Sequence, residues 1–345
     1  MRRIRPVVTR ALQCLIVLIL FTGCPGQAPS RSEFVLGTVC SVNLYEGGSQ
    51  KVYQTIFDRL REIENLMSAS LEDSDIGRVN NAAGIEAVAV HPDTITVLKR
   101  AIYFAELSGG AFDPTVGPLV KLWGIGTDAE RIPREEEIAA VLPLINWRDI
   151  GIDEDACTVF LTQPGMRLDL GAIAKGYAAD EAARIIKAAH IKRALIDLGG
   201  NILVLGAKRD GTPWRVGIQN PAEGRGAYFG IAEAADKTLV TSGVYERFFE
   251  SGGKRYHHIL SPRDGYPVDR GLLSVTIIGD SSIDADALST SLFALGYEAG
   301  SVLAESLANT EAIFVFTDLS VRGTSGAFGN FTITDDSFSI HADAY

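Results

Sequence analysis

Cysteine is scarce, with four in 345 residues and no two in a CxxC arrangement. Cys14 and Cys24 lie in the N-terminal segment, which leaves Cys40 and Cys157 isolated in the body of the chain. A thiolate zinc site and a thiol redox motif are thereby excluded, and the two read as buried free thiols, although an oxidising compartment would allow them to pair. No GxGxxG follows a strand-like run, so a doubly wound dinucleotide site is not supported. Heptads, short-period repeats and low-complexity tracts are also missing. The apolar run Leu15–Phe21 is too short to span a bilayer as a permanent helix. Positive charge is in the minority, with 32 Lys and Arg against 43 Asp and Glu, a net charge of −11. Without residues 1–23, which hold four arginines and no acid, it becomes −15. So acidic a body argues against nucleic acid and against docking on anionic lipid.

The N-terminus sets the compartment. Arg2, Arg3, Arg5 and Arg10 precede the apolar run, which ends in Thr22-Gly23-Cys24. This is the charged, apolar and small-residue order of an export signal. Cys24 after Thr-Gly resembles a bacterial lipobox with Phe21 in place of the usual Leu, which makes Cys24 the expected lipidation site. The organisation expected is a signal at 1–23, a small polar tether at 24–32 and one domain at 33–345. The location expected is periplasmic, with a lipid anchor in the inner membrane.

Hydrophobic composition of 46% is ample for a core. Val52, Ile56, Leu60, Ile63 and Met67 form a helical stripe over Lys51–Met67. Further helices are expected over Pro92–Leu107, opened by its proline and stopped by Gly109-Gly110, over Arg134–Leu142, and over Ile173–His190 despite Gly176. Strand-like runs are Ala194–Leu198, Ile202–Leu205, Trp214–Gln219, Thr238–Thr241, Tyr256–Leu260, Leu272–Ile278 and Ala312–Phe316. Together they predict a mixed α/β (α+β) domain of two intimate lobes, with a largely antiparallel sheet flanked by helices.

The stretch Asp284–Thr290 places hard oxygen donors in a helix-forming run. Asp286 and Thr290 fall one turn apart on one helix face, a spacing whose carboxylate and hydroxyl suit Mg²⁺. Taken alone, the same residues also fit an acidic helix start followed by an interior threonine. Leu168–Tyr177 joins a strand to a helix, where first-turn amides and Lys175 favour an anion. Phe112–Leu119 is rich in turn formers, and Leu198-Gly199-Gly200-Asn201 reads as a tight turn between strands. His257 and His258 are adjacent, so on a strand only one of them can face a given site.

In their order these motifs resemble the ApbE-type flavin transferases, which move FMN from FAD to a Thr or Ser of an exported acceptor protein. The matching pieces are Leu36-Gly37-Thr38, Phe112–Gly124, Asp169–Tyr177, Leu195–Asn201, Val216–Pro221, Thr241–Tyr245, His258–Gly265 and Ala285–Thr290. They span nearly all of the mature chain. The resemblance implies Mg²⁺ on Asp286, Thr290 and the carbonyl of Ala172. It implies a grip on FAD, the substrate, by Leu36, Ala111, Phe112, Asp113, Asp169 and Lys175. His258 is the implied base, with His257 its neighbour, and an ordinary histidine titrates in the useful range. The implied partner is a flavin-accepting subunit of a redox complex.

Two positions depart from that pattern. Ser70 stands where an aromatic residue often covers the flavin, and it cannot stack on an isoalloxazine ring. Hydrolysis of FAD to FMN and AMP is therefore expected as a companion activity. Ser261 replaces the usual Asp before Pro262. A flavin-binding lipoprotein without chemistry is the alternative from another class, and the Asp286/Thr290 pair argues against it. An oxidoreductase using bound flavin ranks last, since no residue suggests a hydride partner. Gly323–Phe328 has Phe328 where a modified threonine would stand, so self-modification is not expected.

Overall fold

Near-continuous apolar runs such as Ile202–Leu205 and Ala312–Phe316 let a strand bury both faces, and the chain uses this to build one nine-stranded sheet with a core on each side. The computed structural model describes residues 30–341 apart from Arg225. The signal, Cys24 and the first part of the tether lie outside the described residues. The sheet runs through Arg31–Val35, Thr38–Leu44, Ala194–Leu198, Asn201–Leu205, Lys237–Gly243, Leu272–Gly279, Glu311–Phe316, Ser320–Gly323 and Ser339–Ile340. Spatial order follows chain order, and every neighbouring pair is antiparallel except the last. The expected mixed fold with a largely antiparallel sheet is the fold observed.

Along the strands the two faces alternate. Val240, Val275, Ile277 and Phe314 belong to the core shared with helices Gln50–Met67, Ala174–Ala188 and Ser282–Leu295. Leu239, Ile313, Val315 and Val321 belong to the core beneath a three-stranded sheet of Trp214–Gln219, Tyr228–Ala234 and Phe331–Ile333. The two lobes anticipated from the sequence share this one sheet. A small third cluster gathers Leu119, Trp123, Ile138 and Leu260.

Most anticipated elements are present within a residue or two. The run Tyr256–Leu260 is corrected: its strand is Lys254–His257. The His258 amide still continues the pairing to the Arg247 carbonyl, and the ladder ends where the Ile259 amide turns to Nδ1 of His257. The hairpin Arg31–Leu44 had no turn signal of the usual kind, since Leu36 takes a left-handed φ of 57° beside Gly37. The second hairpin turn, Gly199-Gly200, has φ of 67° and 97°. A Cβ on Gly199 would sit 2.5 Å from Thr38 Oγ1, so the two turns lie against each other at one end of the sheet.

Helix Ser282–Leu295 fills the space between the sheet and helix Ala174–Ala188 and is buried on nearly every side. Its polar side chains stay because each finds a partner: Ser289 donates to the Asp286 carbonyl at 2.8 Å and Ser291 to the Ala287 carbonyl at 2.7 Å. Asp180 caps its start, accepting from the amides of Ser282 at 3.0 Å and Ile283 at 2.9 Å. The two helices cross so closely that a Cβ on Gly176 would lie 2.2 Å from the Ser282 carbonyl oxygen. Gly176 is thus a crossing point in the fold.

Candidate active site

The close crossing at Gly176 has a chemical consequence. Its amide, one of the first-turn donors that a helix leaves without an internal partner, donates to Asp286 Oδ2 at 2.8 Å. The Lys175 amide also bonds the Asp286 carboxylate. The anion held by these first-turn amides is the protein's own carboxylate. Burial raises the Asp286 pKa, while the Lys175 charge and the two amides act to lower it. No described residue donates a hydrogen bond to the carbonyl of Ala172, in the turn leading into the helix. The Lys175 ammonium donates to the Gly171 carbonyl at 3.0 Å.

Thr290, one turn beyond Asp286, meets strand Lys237–Gly243 through Ser242, whose Oγ lies 3.0 Å from Thr290 Oγ1 and 2.8 Å from Ser289 Oγ. One carboxylate, one hydroxyl and one free carbonyl form a sparse set of hard oxygens. It fits Mg²⁺, which commonly binds through few protein ligands and completes its shell with water and substrate phosphates. Among the described residues no cluster of three His, Cys, Asp or Glu side chains offers a rival metal site.

The two histidines separate cleanly. His257 is buried with both ring nitrogens engaged: Nε2 donates to the Val268 carbonyl at 2.9 Å, and Nδ1 accepts from the Ile259 amide at 3.3 Å. It is structural. His258 Nδ1 lies 3.2 Å from the Arg247 carbonyl, which can only accept, so Nδ1 carries the proton and Nε2 keeps its lone pair. Burial, with help from the charges of Arg247 and Lys175, lowers its pKa to about 3. The expectation of an ordinary titration range is corrected: His258 is neutral and weakly basic in the substrate-free protein.

Asp113 and Asp169 lie on adjoining loops, joined by the Asp169 amide donating to the Pro114 carbonyl at 2.8 Å. Both Asp113 oxygens are engaged, one by the amide and hydroxyl of Thr115 and one by the Trp147 amide. Asp169 Oδ1 accepts from the Gly171 amide at 2.8 Å. Ala111 and Phe112 are part of the main core, and Leu36 is half-buried in its turn. Ser70 is exposed just past helix Gln50–Met67 and bonds only locally, to Ser68. Ser261 supplies the turn bonds its position needs, accepting from the amides of Arg263 and Asp264.

Sequence reading gave no role to Ser242, Ser289 or Arg247. The Arg247 side chain lies 3.6 Å from where a Gly37 Cβ would stand and 3.5 Å from the same point on Gly126, bringing a cation between those two turns. No spacing rule marks such a residue. Cys40 and Cys157 are both free. Cys40 is buried, and burial with the charges of Asp197 and Glu64 pushes its thiol up to about 12. Cys157 is half-exposed rather than buried. Cavities of about 350 and 200 Å³ open elsewhere, and neither is lined by Asp286, Thr290, Lys175 or His258.

The chain is similar to several known proteins along most of its length. The FAD:protein FMN transferase of Treponema pallidum is 39% identical over 339 residues, covering 92% of this chain and 93% of the relative. That of Klebsiella pneumoniae is 36% identical over 311 residues, covering 90% and 96%. Among solved structures, the flavin transferase ApbE of Vibrio cholerae superposes with a TM-score of 0.79 at 31% identity, covering 88% of this chain and 98% of that one. The ApbE protein of Thermotoga maritima gives 0.78 at 32% identity, covering 87% and 97%. The sequence model of the ApbE family matches residues 36–314, and the chain belongs to that family.

Proposed function

We propose that this protein transfers FMN from FAD to a Thr or Ser hydroxyl of an exported acceptor protein, releasing AMP. The observation that carries the proposal is the convergence of Asp286, Thr290, Lys175 and His258 at one end of the sheet, in a chain whose relatives bear that transferase name. Asp286, Thr290 and the Ala172 carbonyl would hold Mg²⁺, which supplies charge neutralisation on the pyrophosphate. Lys175 adds a second positive charge beside it. The acceptor oxygen forms a bond to the FMN-side phosphorus, the bridging P–O bond breaks, and AMP leaves with its electron pair. The hydroxyl proton passes to Nε2 of His258. The negative pyrophosphate would offset the cations that now depress His258 and so raise its basicity as substrate binds.

The exposed Ser70 supports a companion reading in which water replaces the acceptor and FAD is hydrolysed to FMN and AMP. Replacing Ser70 with Tyr is expected to slow acceptor-free AMP release, and unchanged turnover would remove this reading. The anchor at Cys24, the periplasmic location on the inner membrane and a redox-complex acceptor complete the proposal. The decisive assay mixes the protein lacking residues 1–24 with FAD and Mg²⁺, with and without a flavin-acceptor domain. AMP together with fluorescent acceptor is the expected result. Bound flavin with no AMP in either mixture would replace the enzyme by a flavin-binding protein.

A further inference from the structure

We infer that Ser242 and Ser289 form a one-way hydroxyl relay that turns the lone pairs of Thr290 toward the metal position. The inference rests on the proposed function, because it concerns how that site is held ready. Its logic is proton counting, since each hydroxyl has one hydrogen to donate. The Ser289 hydroxyl lies 2.8 Å from the Asp286 carbonyl, which can only accept, so the Ser289 proton is committed there. Toward Ser242, at 2.8 Å, Ser289 can then only accept, which commits the Ser242 proton to Ser289. Toward Thr290, at 3.0 Å, Ser242 can in turn only accept, which commits the Thr290 proton to Ser242. Thr290 is left with lone pairs and no free proton, the state a metal-binding hydroxyl requires. Without the relay its O–H could rotate toward the cation and oppose binding.

The relay ends on the backbone of Asp286, the residue whose carboxylate would share the ion. Metal donor and donor orientation are thus tied through one residue, and the setting resists reversal. Ser289 is fully buried on helix Ser282–Leu295, and Ser242 is held in strand Lys237–Gly243 by pairing with Val275. Neither serine would touch the ion, so both are positioning residues, comparable to the outer partners that orient ligands at other metal sites.

The test measures Mn²⁺ binding to the full-length protein in detergent micelles by electron paramagnetic resonance, with ADP present to supply a pyrophosphate. Ser242→Ala is expected to weaken Mn²⁺ about 10-fold, the lower end of the usual loss for an outer partner. Ser289→Ala should weaken it less, because Ser242 can then still take the Thr290 proton but is free to reverse. Thr276→Val removes a neighbouring hydroxyl pair, Thr241 with Thr276 at 2.8 Å, that is outside the relay, and should leave affinity as in wild type. Melting temperatures without metal show which variants are folded. A merely structural role would lower those temperatures and leave the affinity of the folded protein unchanged. Wild-type affinity in both serine variants overturns the relay and leaves the metal site standing. No Mn²⁺ uptake by wild type brings down both.

Discussion

Helices Gln50–Met67 and Ser282–Leu295 both pack on the same face of the nine-stranded sheet, and they handle polarity in opposite ways. The first buries one stripe, with Tyr53, Ile56, Phe57, Leu60, Ile63 and Met67 inward. Its charges stay at the rim, where Arg59 pairs with Glu62, Asp93 and Glu181. The second is enclosed, so Asp286, Ser289 and Ser291 lie inside and each has a fixed partner. Burying a carboxylate costs free energy unless hydrogen bonds and nearby charge offset it. The first helix supplies stability through apolar area. In the second, polar groups are held at a cost that makes sense where chemistry uses them.

That contrast can be broken most sharply at Asp286. Asn at this position still accepts from the Gly176 amide but carries no charge. The protein should fold, while FAD turnover falls at least about 100-fold, corresponding to several kcal/mol of lost charge stabilisation. AMP release measures the loss, and turnover within a few-fold of wild type would refute the assigned role. On the other helix, Leu60→Ala should do the reverse. Leu60 is fully buried, so truncation should cost about 3 kcal/mol of stability, read by denaturant unfolding, with kcat/KM of the folded fraction little changed.

A smaller effect sharpens the comparison through pH. The pKa of His258 is lowered from 6.5 to about 3 by burial first and by nearby positive charge second. An unfolded chain therefore binds a proton here before the native one does. The contribution of His258 is fully present above the unfolded value of 6.5 and is lost as pH falls toward about 3. The raised pKa values of Asp286, Asp180 and Asp113 act with the opposite sign, so a difference measurement is needed. The melting temperature of His258→Asn relative to wild type should rise as pH drops from 6.5 to 4.5. A constant difference would show that His258 is not depressed.

Legibility from sequence followed the same division. The stripe from Val52 to Met67 could be read because one side of that helix faces a core and the other faces solvent. Helix Ser282–Leu295 has almost no such contrast, and only the Asp286–Thr290 spacing drew attention to it. The hairpin at Leu36-Gly37 was not foreseen from periodicity, because a leucine in the left-handed region gives no turn signal. For the histidine pair, alternation allowed at most one to face a given site. It could not tell which one, since that depends on the carbonyls of Val268 and Arg247.

The sequence by itself determined the elements and the donor types: periodicity is local, and a carboxylate or an imidazole is the same in any fold. It also carried enough ordered motifs to show the family. Tertiary structure decided which groups are free. Gly176 lets two helices approach until a free first-turn amide of one meets Asp286 of the other. Ser242, more than forty residues from Thr290 in the chain, comes within 3.0 Å of that threonine's hydroxyl. Whether an oxygen offers a lone pair or a proton depends on partners distant in sequence, and only the folded chain brings them within hydrogen-bond distance.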